Sequence, residues 1–268
     1  MNKIAGIGKV DRIRLAEIIR GTKGTISVAE AANILKMTQS DVAKILSRWV
    51  KKGWLSRVQR GTYIPIPIEA RATDIPFEDP WIIAEKIFSP CYIGGWSAAE
   101  YWDMTEQIFQ TIVVCTTKKL RNRNLKIQKT NFLLRTISEN SMFGLESVWR
   151  GQVKVSVSDP TRTILDMLDA PVLAGGIRST VDIFINYMKS KNKNLDLLLK
   201  YADSLNNGAV FKRLGFLLER LAPDEKLAVT ACKSKMTKGN AKLDPLLKAD
   251  ILITKWRLWV PRSWIKEE

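Results

Sequence analysis

Histidine is absent from all 268 residues. That removes the usual general base of serine and cysteine triads, His-containing zinc sites and histidine pH switches. Cysteine is scarce. The three present, Cys91, Cys115 and Cys232, are far apart in apolar surroundings with no CxxC pair, as expected of small core hydrophobes in a reduced cytoplasmic setting. No phosphate-cradling GxxxxGK[ST], no complete dinucleotide-binding glycine triplet and no GxSxG elbow occurs. Nor does any apolar run approach the roughly 18 residues of a membrane span, and MNKIAGIGKVDR has no signal-peptide core. Acids are the scarcer charge, 27 against 43 Lys and Arg. The net charge of +16 points to a polyanionic partner, nucleic acid first and an acidic protein second.

What is present is concentrated between Ser27 and Pro65. Ser27 and Glu30 form a capping box ahead of Val28, Ala31, Ala32, Ile34 and Leu35 at helical spacing. After a turn at Lys36 and Met37, Thr38 and Asp41 start a second helix. Its apolar stripe is Val42, Ile45, Leu46, Trp49 and Val50. The opposite face carries Ser40, Lys44, Ser47 and Lys51, with Gln39 at the first turn and Arg48 and Lys52 at the margins. Short polar groups at the start of such a helix reach base edges, and cations further along meet phosphates. Gly53 closes the helix. Leu55 to Val58 and Tyr63 to Ile66 then flank the turn Gln59-Arg60-Gly61-Thr62, which reads as a wing bearing Arg57 and Arg60. From Lys36 to Arg60 there are seven basic residues and one acid. The segment reads as a winged helix-turn-helix, with Asp11 capping a preceding helix that runs to about Arg20.

Residues 1–74 hold 14 Lys and Arg against 6 acids, and the prolines and acids that follow place a domain boundary near residue 74. The remainder, 75–268, reads as a larger mixed α/β domain, so the fold class is α+β. Asp79-Pro80 and Asp159-Pro160 start helices, the latter ended by Pro171, and Gly175-Gly176 precede another from Ile177 to Ser190. Further helices are expected at Leu195–Leu205, Val210–Leu221 and Glu225–Cys232. Strands are expected at Cys91–Ile93, Gln110–Thr116, Phe132–Ile137 and Val153–Val157, with Ile251–Val260 as one closing strand. Lys118, Lys119, Arg121, Arg123, Lys126 and Lys129 form a second basic cluster, balanced between a solvated loop and a polyanion or partner contact. Asp159, Asp166 and Asp169 read as a helix cap plus two surface acids in preference to a metal site. Asp224 and Lys226 have nuclease-like D-x-K spacing without a supporting strand acid. Trp256, Trp259 and Trp264 read as core in preference to a stacking platform. No catalytic residue, metal or cofactor is assigned.

The chain resembles the AbiEi-type antitoxins of abortive-infection, type IV toxin–antitoxin systems. The likeness rests on KKGWLSRVQRGTYIPIP in the winged segment, on YIGGWSAAEYWDMTEQIFQTIVVCTTKK and VSDPTRTILDMLDAPVLAGGI, and on LDPLLK followed by KWRLWV. The resemblance implies a non-enzymatic phage-defence antitoxin. Its winged domain would repress its own operon at inverted repeats in promoter double-stranded DNA. Its C-terminal domain would neutralise a cognate nucleotidyltransferase-like toxin. The positions that carry over to DNA reading are Thr38, Gln39, Ser40, Lys44, Ser47, Arg48, Lys51, Arg57 and Arg60. The blocks around Trp96 and Asp159 read as fold signatures. Two alternatives stay open: a winged-helix regulator without a toxin, its second domain sensing a ligand, and a DNA-processing nuclease.

Overall fold

The computed structural model describes residues 6–22, 26–59, 61–66, 79–120, 122–127, 130–151 and 153–264. The chain divides into two compact units, residues 1–89 with 125–131, and residues 90–124 with 132–268. The boundary expected near residue 74 falls in 67–78, outside the described residues.

The first unit holds α1 (Lys9–Gly21), β1 (Ile26–Ser27), α2 (Val28–Leu35), α3 (Gln39–Lys51), β2 (Leu55–Gln59), β3 (Thr62–Pro65) and α4 (Pro80–Phe88). α1 starts two residues before Asp11, on Gly8, so Asp11 is a first-turn residue and not the cap. α2 starts on the expected reciprocal box: Ser27 Oγ accepts from Glu30 N and Glu30 accepts from Ser27 N. Leu15, Ile18, Ala31, Ala32, Val42, Ile45, Leu46, Trp49, Trp54, Leu55 and Tyr63 share one buried core. The wing sheet has three strands in the order β1-β3-β2. The two-residue β1, paired Ile26 to Tyr63, is too short to announce itself in a sequence pattern. α4 begins as expected, Asp79 accepting from Trp81 N with Pro80 in the first turn.

The second unit is built on a sheet of β7 (Thr130–Thr136), β5 (Thr111–Thr116), β4 (Cys91–Ile93), β9 (Val153–Ser158) and β8 (Leu145–Arg150), in that spatial order. A short β6 (Asn124–Ile127), from Leu125 on, and the first two residues of β7 group with the first unit. β4 runs antiparallel to β5 and parallel to β9, so the sheet is mixed. α5 (Gly95–Tyr101) follows β4 and opens on a glycine at φ 53. A Cβ on Gly95 would lie 2.4 Å from the Leu173 carbonyl, which explains the glycine. Trp96 Nε1 donates to Thr111 O at 2.5 Å and Trp102 Nε1 to Ser158 O at 2.7 Å, so both indoles join the helix to sheet strands.

α6 (Pro160–Asp169), capped by Asp159, is buried along nearly its whole length. It packs with α7 (Ile177–Lys189), α8 (Leu195–Leu205) and α9 (Gly208–Leu221), and α10 (Lys226–Ser234) follows. Asp166 corrects the reading of two surface acids. It is 2% exposed and accepts from Arg162 Nε and from Tyr92 Oη, each about 3.0 Å away. Asp169 is ion-paired to Arg135 and accepts from Asn207 Nδ2 at 2.5 Å.

The run Ile251–Val260 is also corrected. It is not one strand but β11 (Ile251–Ile253) and β12 (Leu258–Val260), folded back antiparallel, with Arg257 at φ 48 in the turn. β10 (Ala241–Lys242) pairs parallel to β12. Trp256, in the reversal, is fully buried, as its core reading requires, while Trp259 is 36% exposed. All three cysteines are free and buried, and burial pushes the thiols of Cys115 and Cys232 up to about 12. Among the described residues no helix is long and apolar enough to cross a membrane.

Candidate nucleic-acid interface

The joint between α2 and α3 is set by Lys36, which closes α2 in the left-handed region at φ 51. Its N–H and that of Met37 both return to the Ala32 carbonyl. Thr38 then opens α3, its Oγ1 accepting from Asp41 N at 3.2 Å and donating to Asp41 Oδ2 at 2.7 Å. α3 buries Val42, Ile45, Leu46 and Trp49 and leaves Val50 half-buried at the edge of the stripe.

The other side of α3 emerges as one continuous polar surface. Thr38, Gln39, Ser40, Lys44, Ser47, Arg48 and Lys51 are all exposed, and Lys52 is half-buried. Arg57 is exposed on β2, next to a register shift between Arg57 and Gln59. Arg60 lies outside the described residues, as do Arg121 and Lys129 of the second basic cluster. In that cluster Lys118, Lys119, Arg123 and Lys126 are exposed.

Not all of these cations are equally available. Arg48 Nη2 lies 3.0 Å from Asp11 Oδ1, and Lys52 Nζ lies 4.0 Å from Asp11 Oδ2 and 4.7 Å from the Trp54 ring centroid. Lys44 Nζ is 3.6 Å from Asp41, both well exposed, a pair worth little in water. Asp11 is therefore a member of this surface that local spacing missed. It stands 37 residues from Arg48, and only the packing of α1 beside α3 brings the two together. Chemically the surface offers hydroxyl and amide groups at the amino end of a groove-sized helix and guanidinium and ammonium groups further along.

Elsewhere, Asp224 and Lys226 are both exposed at the start of α10, and no group of three or more Cys, Asp or Glu among the described residues is placed to hold a metal.

Residues 14–66 match a family model described as "Transcriptional regulator, AbiEi antitoxin". The match covers α2, α3 and the wing strands. No curated protein matches the chain. Among solved structures the chain is similar to the RV2827C protein from Mycobacterium tuberculosis. The TM-score is 0.56 at 11% identity, over 96% of this chain and 93% of that one, a likeness of fold.

Proposed function

We propose, from the family match of the winged segment, that this chain is an antitoxin and transcriptional regulator that represses its own operon by binding promoter DNA. In this reading α3 lies in a major groove of an inverted repeat, with Gln39, Ser40 and Ser47 facing bases and Lys44, Arg48 and Lys51 facing phosphates. The wing, with Arg57 and Arg60, follows the backbone, and Lys52 supports the margin. The observation that carries the reading is the division of α3 into an apolar stripe, buried at Val42, Ile45, Leu46 and Trp49, and an exposed polar face. A structural helix of a core would bury part of that second face.

The test is a mobility-shift titration of promoter DNA with the full chain and with the Lys44→Glu, Arg48→Glu double variant. Loss of the shifted band in the variant is expected, and equal affinities would overturn the reading. The C-terminal segment expected from the sequence, residues 75–268, is proposed to neutralise a nucleotidyltransferase-like toxin in the cytoplasm. Growth rescue by this segment, co-expressed with the neighbouring nucleotidyltransferase, tests that role separately.

A second reading, a regulator whose second unit senses a ligand, is favoured by one feature. A cleft of about 470 Å³ lies between the start of α7 and the segment Asp244–Lys248, walled by Leu246, Leu247, Pro261 and Trp264. Absence of any toxin gene beside this one would turn the balance toward it.

A further inference from the structure

Among the described residues no acid pairs with Lys212. It lies one turn into α9 at 2% exposure, and its Nζ donates to Thr237 Oγ1 at 3.0 Å and to the Gly239 carbonyl. Both acceptors are neutral. Burial pushes the ammonium below its ordinary pKa, and Arg257 and Arg213, the charges that act on it, push the same way. The nearby Arg213 is no help: at 4% exposure its guanidinium donates to the carbonyls of Lys242 and Leu168. A buried charge left this way is costly, because desolvation is not repaid by a counter-charge.

A lysine can only donate, so Thr237 Oγ1 must accept from it, and the threonine's own hydroxyl hydrogen is left for another acceptor. Arg257, exposed on the turn before β12, reaches the Thr237 carbonyl with Nη1 at 3.4 Å. Thr237, Lys238, Gly239 and Asn240 are all exposed, and a Cβ on Gly239 would meet nothing within 4 Å, so the loop is open to close approach. Behind it stands the amino end of α9. A Cβ on Gly208, its first residue, would lie 2.3 Å from the Thr237 side chain. Hydroxyl, ammonium, guanidinium and helix end thus converge on one loop that holds no acid.

We propose that Thr237, Lys238 and Arg257, set over Lys212 and the start of α9, bind a phosphate group carried by a nucleotide or by a nucleic-acid backbone. The bound anion supplies the negative charge that Lys212 lacks. The site shares no residue with α3 and stands or falls independently of operator reading.

The experiment is calorimetric titration of the full chain with inorganic phosphate, with adenosine monophosphate and with a 12-base-pair duplex. The duplex is titrated in the Lys44→Glu, Arg48→Glu background so that α3 does not contribute. Thr237→Val removes one hydroxyl at nearly constant volume, and Arg257→Gln removes an exposed charge. Each is expected to weaken binding about tenfold, in keeping with one lost charge-assisted hydrogen bond. Binding of the mononucleotide without the duplex identifies a free nucleotide as the ligand, and the reverse identifies backbone phosphate. No heat with any of the three probes overturns the proposal, and so does binding equal in wild type and both variants. Should Thr237→Val melt early, Arg257→Gln, whose side chain is outside the core, still gives the answer.

Discussion

The indole of Trp256 occupies the space where Gly215 would carry a side chain. A Cβ built on that glycine would fall 2.1 Å from Cζ3 of the ring. Gly215 sits in the middle of α9, where alanine ordinarily gains about 1 kcal/mol over glycine. Here overpacking against a fully buried ring is the larger effect, typically 1–3 kcal/mol or more at such a site. Gly215→Ala is therefore expected to lower unfolding free energy by roughly 2 kcal/mol net in urea titrations. An alanine variant as stable as wild type would show that the ring does not hold this position.

The same ring is anchored through Glu219, which accepts from Trp256 Nε1 at 2.7 Å and also pairs with Lys255. Burial alone raises the carboxyl, but the bonds from Lys255 and Trp256 outweigh it, and the net direction is below the ordinary 4.5. A carboxylate lowered in the folded state adds stability that is present above the unfolded pKa and lost as pH falls through the folded one. Glu219→Gln is thus expected to cost stability at pH 7, and the gap to wild type should narrow as pH drops below about 4.5. Urea titrations across this range measure it, and a gap independent of pH would contradict the assignment.

These two residues also show what the sequence could and could not reveal. Ser27, Thr38, Asp79 and Asp159 were readable because a cap is a local event, settled within three residues by a side chain and the amides beside it. The faces of α3 were readable because burial repeats with the helical period. Ile251–Val260 misled because its β-branched content suits a strand, whereas the reversal at Trp256 depends on a notch at Gly215 about forty residues earlier. Asp166 misled for a similar reason. Its burial is satisfied partly by Tyr92, 74 residues away, and nothing in DPTRTILDMLD specifies that partner.

Thr38 separates a local from a recognition role. Its hydroxyl holds the start of α3 through Asp41, so Thr38→Ala is expected to cost about 1 kcal/mol, with Thr38→Ser near wild type. Thermal unfolding of the two variants measures this. Alanine without effect would mean that the cap contributes nothing in solution.

Asp11 supplies the most informative test of the proposed interface, because its carboxylate restrains two cations of the surface from outside α3. It lies 3.0 Å from Arg48 and 4.0 Å from Lys52, with its side chain 15% exposed. Under the operator-binding proposal the carboxylate repels phosphate and withholds both cations from indiscriminate contact. Asp11→Asn keeps the shape and removes the charge. The variant is expected to bind non-specific duplex more tightly, with a salt dependence steeper by about one to two counterions. Promoter binding should change less, so the ratio of specific to non-specific affinity falls. The folding cost should remain small, since pairs this near solvent contribute about 0–1 kcal/mol. A variant that binds both DNAs more weakly at an unchanged salt slope would mark Asp11 as a packing residue of α1 alone, without influence on how α3 selects its site.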